Sequence, residues 1–224
     1  VWNIIMAISK FNYNSFNVTP VAGKTLAFNS DSDGFTTQGA SSMVLIKTLT
    51  ASSSANLTFV DGASSVVLDD TYPVYLFKFI NIHPATDSAL FQVNFRDGST
   101  AYDATKTSTY FYAQHGEDGN NGEIVYSGTY DLAQSTSVQS ISEIAGNAND
   151  ESISGELFLF NPSSTTFVKH YMSQTNTYIP SNRSTRVNVA GYCNVTAAID
   201  GVQFVMSSGN IDAGVIKLYG IADS

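Results

Sequence analysis

Between Thr185 and Ala222 the chain spells three short strands joined by small polar turns: Thr185 to Asn194, Gly201 to Ser207 and Ala213 to Ala222. In the first, Val187, Val189 and Cys193 alternate with Arg186, Asn188 and Asn194. Alternation with period two marks a strand with one buried and one wet face. The connectors Ala198-Ile199-Asp200-Gly201 and Ser207-Ser208-Gly209-Asn210 have turn chemistry, since Gly, Asn, Asp and Ser tolerate or cap tight backbone bends. A chain that stops on its last strand is expected to carry no further module there.

The same texture runs upstream. Strands are expected at Met43–Thr50, Ala55–Val60, Val66–Leu68, Pro73–Ile82, Ala89–Arg96, Ser108–His115, Glu123–Leu132, Ile153–Phe160 and Thr166–Ser173, nearly all bounded by Gly, Asn, Asp or Ser. Ala89–Arg96 is the clearest: Ala89, Phe91, Val93 and Phe95 alternate with Leu90, Gln92, Asn94 and Arg96, and the turn signal Asp97-Gly98 follows. Val74 to Ile80 is almost continuously apolar, which predicts a strand covered on both faces. Leu132 to Ala148 is the one segment with any helical potential; its Ser, Thr and Gly content predicts a long loop with at most a turn of helix. Many short strands and no helical periodicity point to an all-β, antiparallel sandwich. Residues 1–42 differ: they are rich in Asn, Ser, Thr and Gly, carry Phe11, Tyr13, Phe16, Phe28 and Phe35, and lack alternation. They read as an extended N-terminal arm that anchors or oligomerises, ahead of one sandwich domain over 43–224. An isolated arm cannot bury five aromatic rings against itself, so these five are the expected contacts with other subunits or with a larger particle.

Composition narrows the function classes. Ten Lys and Arg against 19 Asp and Glu give a net charge of −9. The basic residues occur singly, so binding driven by nucleic-acid phosphates is not expected. Charged residues make up 13% of the chain, about half the usual ~25%, and hydroxyls and amides supply the polarity instead. The single Cys193, among apolar strand positions, reads as a buried inert thiol and excludes an intrachain disulfide. No apolar run approaches the ~18 residues of a membrane span, so no membrane insertion is expected. Met6-Ala7-Ile8-Ser9-Lys10 looks like an ordinary translation start, with residues 1–5 an in-frame extension.

Candidate chemistry is sparse. His83, His115 and His170 show no metal-ligand spacing. Asn29-Ser30-Asp31-Ser32-Asp33-Gly34 matches the first half of a calcium loop, but Ala40 stands where the closing glutamate belongs, so an Asx-rich turn is expected. No pair of carboxylates is singled out for glycosidase work, and no nucleophile elbow, P-loop or dinucleotide fingerprint occurs. No catalytic residue, metal site or cofactor is therefore expected. His115-Gly116-Glu117-Asp118-Gly119 lies between aromatic segments that include Tyr110, Phe111, Tyr112, Tyr126 and Tyr130. Tyr110, Tyr112, His115, Glu117 and Asp118 are the expected recognition loop, since exposed tyrosine offers a flat amphipathic surface to sugars or proteins.

Three stretches carry a family resemblance. Gly23-Lys24-Thr25-Leu26-Ala27-Phe28-Asn29-Ser30-Asp31-Ser32-Asp33-Gly34-Phe35 resembles the N-terminal part of virion structural proteins of marine tailed bacteriophages such as cyanophages. So does Asp61-Gly62 followed by Asp69-Asp70-Thr71-Tyr72-Pro73-Val74-Tyr75. Gly201 to Ile211 with Gly214 to Ile221 looks like a terminal hairpin common in phage jelly-roll proteins. The resemblance implies a jelly-roll sandwich serving as a non-enzymatic appendage: a head or tail fibre, or a capsid decoration. It also implies assembly in the host cytoplasm, display on the extracellular particle, a homotrimer, and contact with other virion proteins. The alternative is a carbohydrate-binding module that reads a host surface glycan at a fibre tip, and a hydrolase ranks third.

Overall fold

The structure is a computed structural model that describes residues 24–29, 31, 34–39 and 42–222. Phe11, Tyr13 and Phe16 lie outside the described residues. Among those described, every regular element is a strand. The chain divides into two units, residues 1–42 and Met43–Asp223.

In the first unit β1 (Lys24–Phe28) and β2 (Phe35–Gly39) form an antiparallel hairpin, so this part of the expected extended arm is folded back on itself. The register sets Phe28 opposite Phe35, and their rings stack with centroids 5.0 Å apart. The connection closes by the backbone bond from Asn29 N–H to Gly34 O (3.0 Å) and by Gly34 N–H donating to Asn29 Oδ1 (3.3 Å).

The second unit holds β3 (Met43–Thr50), β4 (Leu57–Val60), β5 (Val74–Pro84), β6 (Phe91–Arg96), β7 (Lys106–Gly116), β8 (Glu123–Tyr126), β9 (Gln139–Ser140), β10 (Ile153–Phe160), β11 (Lys169–Ile179), β12 (Arg183–Cys193), β13 (Gly201–Met206) and β14 (Ile211–Ile221). One sheet runs β3-β14-β5-β10-β11-β12-β7-β8, the other β4-β13-β6-β9, with all pairs antiparallel. Four pairs are nested. The first strand pairs the last (β3 with β14), then β4 pairs β13, β5 pairs β10 and β6 pairs β9. That nesting, distributed over two sheets, is a jelly roll. Two hairpins interrupt it, β7–β8 after β6 and β11–β12 after β10, and both widen the larger sheet beyond β10. Val66–Leu68, expected as a strand, forms none, though both Val66 and Leu68 are buried. The Leu132–Ala148 segment is a loop that contributes only the short β9.

The sheets face each other across an aromatic centre. Phe204 on β13 meets Phe59, Phe77, Phe79 and Phe91 at centroid distances of 6.2, 5.4, 5.2 and 5.6 Å. Those partners come from β4, β5 and β6, so one ring ties both sheets together. Phe91, Val93, Phe95, Val187, Val189, Phe204, Ile216 and Leu218, which alternation assigns to the inner faces, are all buried. At the rim Arg96 donates through Nε to Asp200 Oδ1 (2.8 Å) and through Nη2 to Asp200 Oδ2 (2.9 Å), fixing the Asp97-Gly98 turn beside the loop that enters β13. Two-pronged pairing is the strong form of an ion pair. Gly214 breaks the β14 register at a φ of +117°, with Asn81 O only 2.6 Å from where a Cβ would sit. A side chain there would meet both backbone strain and a clash.

Two lysines lie fully inside. Lys169, Cys193 and Lys106 are successive register partners on β11, β12 and β7. Lys106 Nζ donates to Asn94 Oδ1 (2.6 Å) and Ala104 O (2.7 Å). Lys169 Nζ donates to Ser164 O, Phe167 O and Val195 O at 3.0, 3.3 and 2.8 Å. Carbonyl oxygens, with no carboxylate among them, hold both ammonium groups. Burial pulls Lys106 down to about 8 and lowers Lys169, and it pushes the Cys193 thiol up to about 12.

Candidate functional site

Strand parity sorts the aromatic residues around the acidic loop. Tyr110 and Tyr112 point inward on β7, and Phe111 points outward. Tyr110 is fully buried, with its hydroxyl 2.9 Å from Ser142 O and 2.9 Å from Glu143 Oε1. Its pKa is raised by burial first and the Glu143 charge second. Tyr110 therefore belongs to the core and offers no surface to a partner; Tyr112 packs partly buried against the same core. Phe111 and Tyr126 are the exposed aromatic pair here, set opposite each other by the β7–β8 register.

The acidic loop is ordered by its own polar groups. Gly116 N–H donates to Asn120 O (2.8 Å), and Glu117 N–H donates to Asn182 O (3.0 Å), which ties the loop to the β11–β12 turn. Asp118 accepts from the Asn120 backbone N–H (3.0 Å) and side-chain amide (3.1 Å), and these bonds hold its carboxyl below the usual range. Gly119 takes a φ of +80° to let the loop reverse. Asp118 thus acts first as a turn-former.

Glu117 and His115 are exposed and border a groove of about 400 Å³ with Gly116, Asn176, Tyr178 and Ser184. An adjoining hollow of about 350 Å³ runs from Gly116, Glu117 and Asp118 to Asn121, Ser181 and Asn182. The β12–β7 register, Ser184 opposite His115, brings the two loops together. The Tyr178 hydroxyl lies 3.4 Å from Asn182 Oδ1. Its pKa is raised by partial desolvation, then by a hydrogen bond to Glu117 and that group's charge. Ser184 Oγ donates to Asn176 Oδ1 (2.9 Å). The groove therefore offers one aromatic ring, a carboxylate, an imidazole, an amide and a hydroxyl. Sequence reading found His115 and Glu117 but missed Tyr178, Asn176 and Ser184. The turn residues Pro180-Ser181-Asn182 carried the signal, because they make Thr166–Ser173 and Thr185–Asn194 one long hairpin.

A second groove, about 480 Å³, is lined by Asn81, His83, Asn149, Asp150, Glu151, Ser152, Asp212 and Ala213. Its polar groups are engaged locally. His83 Nε2 lies 3.1 Å from Ala148 O, and Nδ1 lies 3.7 Å from Asp212 Oδ2. Glu151 accepts the Ala148 N–H at 2.8 Å. His170 sits beside the Tyr192 ring. Among the described residues no group of three or more His, Cys, Asp or Glu could hold a metal ion, and no helix is long and apolar enough to cross a membrane. In the other unit Phe28 is 72% exposed, and Leu26 beside it is also exposed.

No known protein-family model matches the chain, and no curated protein or solved structure matches it either.

Proposed function

We propose that this chain is a non-enzymatic structural protein of a tailed-phage particle, a jelly-roll appendage displayed as a fibre or decoration and taking part in host attachment. The observation behind this reading is a jelly roll whose clefts hold polar groups already engaged in turn-forming bonds, carried by a sequence that resembles marine phage virion proteins. Residues 1–42 serve as the anchoring segment, with Phe28 and Phe35 as contacts to neighbouring subunits or virion proteins. The test is the protein composition of purified particles of the encoding phage. The chain should appear there at a fixed copy number. A variant lacking Met6–Gln38 should keep the cooperative melting of the sandwich yet disappear from particles. Absence of the intact chain from particles would refute the reading.

The groove at Tyr178 favours a second reading, a carbohydrate-binding module at a fibre tip. An aromatic face flanked by carboxylate, amide and hydroxyl groups suits a sugar ring, whose C–H face stacks while its hydroxyls are bonded. Glu117 and Asp118 at the groove favour neutral over acidic glycans. On this reading, neutral host-surface oligosaccharides shift the amide resonances of Tyr178 and Glu117, and Tyr178→Ala abolishes the shift without altering the melting curve. No shift with any neutral glycan removes this reading and leaves the first untouched.

A further inference from the structure

The outer face of the larger sheet carries apolar residues in register. Leu45 lies opposite Tyr219, Tyr219 opposite Leu76, Leu76 opposite Phe158, and Phe158 opposite Met172. An unbroken apolar row thus crosses β3, β14, β5, β10 and β11. Two residues along, Ile221 lies opposite Val74 and Val74 opposite Phe160, giving a second row. The Phe158 and Phe160 rings stack 6.3 Å apart and join the two. At the ends of the first row Leu45 is 52% exposed and Met172 50% exposed. On the other side the next row reads Thr48, Lys217, Lys78, Glu156 and Gln174. An apolar centre with a polar border is the anatomy of a protein interface.

We infer that this face is where a second copy of the chain docks. Charge favours a copy of itself. The molecule carries −9, yet neither apolar row contains a carboxylate. The one carboxylate in the bordering row, Glu156, is 2.6 Å from Lys78 Nζ, and Lys217 adds a further positive charge. Two acidic molecules therefore meet less repulsion here than their net charge alone would give. The apolar side chains stand in register across five strands, and a groove of about 420 Å³ opens beside them at Lys78, Glu156 and Gln174. With strands ~4.8 Å apart and ~3.4 Å per residue, the two apolar rows and the bordering row measure about 24 by 17 Å, on the order of 400 Å² per copy. That is the size of a weak, reversible association, so the contact should depend on concentration. A copy presents the same apolar rows, so self-complementarity comes with symmetry. The inference stands on sheet register and charge and does not depend on the virion reading.

Light scattering and sedimentation of the full chain test it. The wild-type protein should run at a multiple of the single-chain mass. Leu45→Glu combined with Met172→Glu should run as one chain with an unchanged circular-dichroism spectrum. Ile124→Glu, at an exposed position on β8 outside both rows, should keep the wild-type mass. A wild-type protein that stays a single chain at every concentration overturns the inference, as does a charge variant that keeps the wild-type mass. The first of these outcomes is also the one expected if a segment of the same chain covers the face. Peroxide oxidation of Met172 gives a readout that needs no substitution. It should slow severalfold as concentration is raised, while the rate at buried Met206 stays constant. A Met172 rate independent of concentration overturns the inference even if the variants misfold.

Discussion

Truncating Phe204 to Ala should lower the unfolding free energy by about 4 kcal/mol, within the ~3–5 kcal/mol range for deleting a buried phenyl ring. The upper part of that range applies because Phe204 is fully buried and meets four other rings drawn from both sheets. Those neighbours sit on three different strands, so collapse into the cavity would have to move both layers of the sandwich, and close-packed interiors relax only partly. Phe95→Ala should also fall in this range of ~3–5 kcal/mol, because Phe95 is fully buried beside Tyr171. Urea unfolding of the two variants checks both numbers. A Phe204→Ala midpoint within error of wild type would show that this ring is not what holds the sheets together.

Stability should rise with pH between about 8 and 9, which is unusual for an acidic protein. The cause is Lys106. Its ordinary pKa is 10.5 and burial pulls it down to about 8 in the folded state. Below pH 8 the lysine is charged in both states, and the folded state bears the full cost of an ammonium held by Asn94 and Ala104. Above pH 8 the folded state sheds the proton while the unfolded chain keeps it, so stability climbs until about 10.5. At 1.36 kcal/mol per pH unit the full relief would be about 3 kcal/mol. Cys193 works the other way. Its thiol is held protonated up to about 12 in the folded state but ionises from about 9 when unfolded, so it removes stability above pH 9. The buried tyrosines Tyr75, Tyr110 and Tyr171, all raised chiefly by burial, add to that loss above their ordinary 10.0. The window of net rise is therefore about one pH unit, worth about 1 kcal/mol. Lys106→Met should flatten the rise and should be more stable than wild type at pH 7 by about 2 kcal/mol, as replacement of a buried charge by an apolar group often is. Chemical unfolding of both proteins from pH 6 to 10 decides the matter. A wild-type profile flat between 8 and 9 would mean that the two carbonyl partners fully offset the burial of the charge.

The parts of the fold legible from sequence are those where one residue's environment settles the pattern. Ala89–Arg96 and Thr185–Asn194 alternate because each has one face on the core, and β6 and β12 fall there. The continuous apolar run at Val74–Ile80 implied cover on both faces. Tyr75, Phe77 and Phe79 enter the core, but on the opposite face only Leu76 is buried while Ile80 is exposed, so the expected cover is complete on one face alone. What alternation does not encode is partnership. The β1–β2 hairpin sets only Leu26, Phe28 and Phe35 on its apolar face, a pattern too brief to stand out among Thr and Gln, and the two-residue β9 is too short to show a period. The same limit hid the groove. His115 and Glu117 announced themselves as a local cluster, but Tyr178 joins them only through the register of β7 with β12 and of β12 with β11. Lys106 and Lys169 stand singly in the sequence, and only packing reveals that carbonyl oxygens enclose them.

The nested pairing also sets the order in which the protein can be made. β3 begins at Met43, yet its partner β14 ends at Ile221, so the outermost pair joins the two ends of the sandwich. During synthesis β3, β4 and β5 leave the ribosome long before β14, β13 and β10 exist to receive them. Contacts this distant in sequence make folding slow, because a long loop must close before any of them forms. The β11–β12 hairpin, by contrast, is closed by a short turn and pairs along its whole length. It can form early and give β7 an edge to pair with. The nascent chain must therefore hold β3 and β4 unpaired until β14 and β13 emerge, whereas β6 and β5 can pair earlier with β9 and β10.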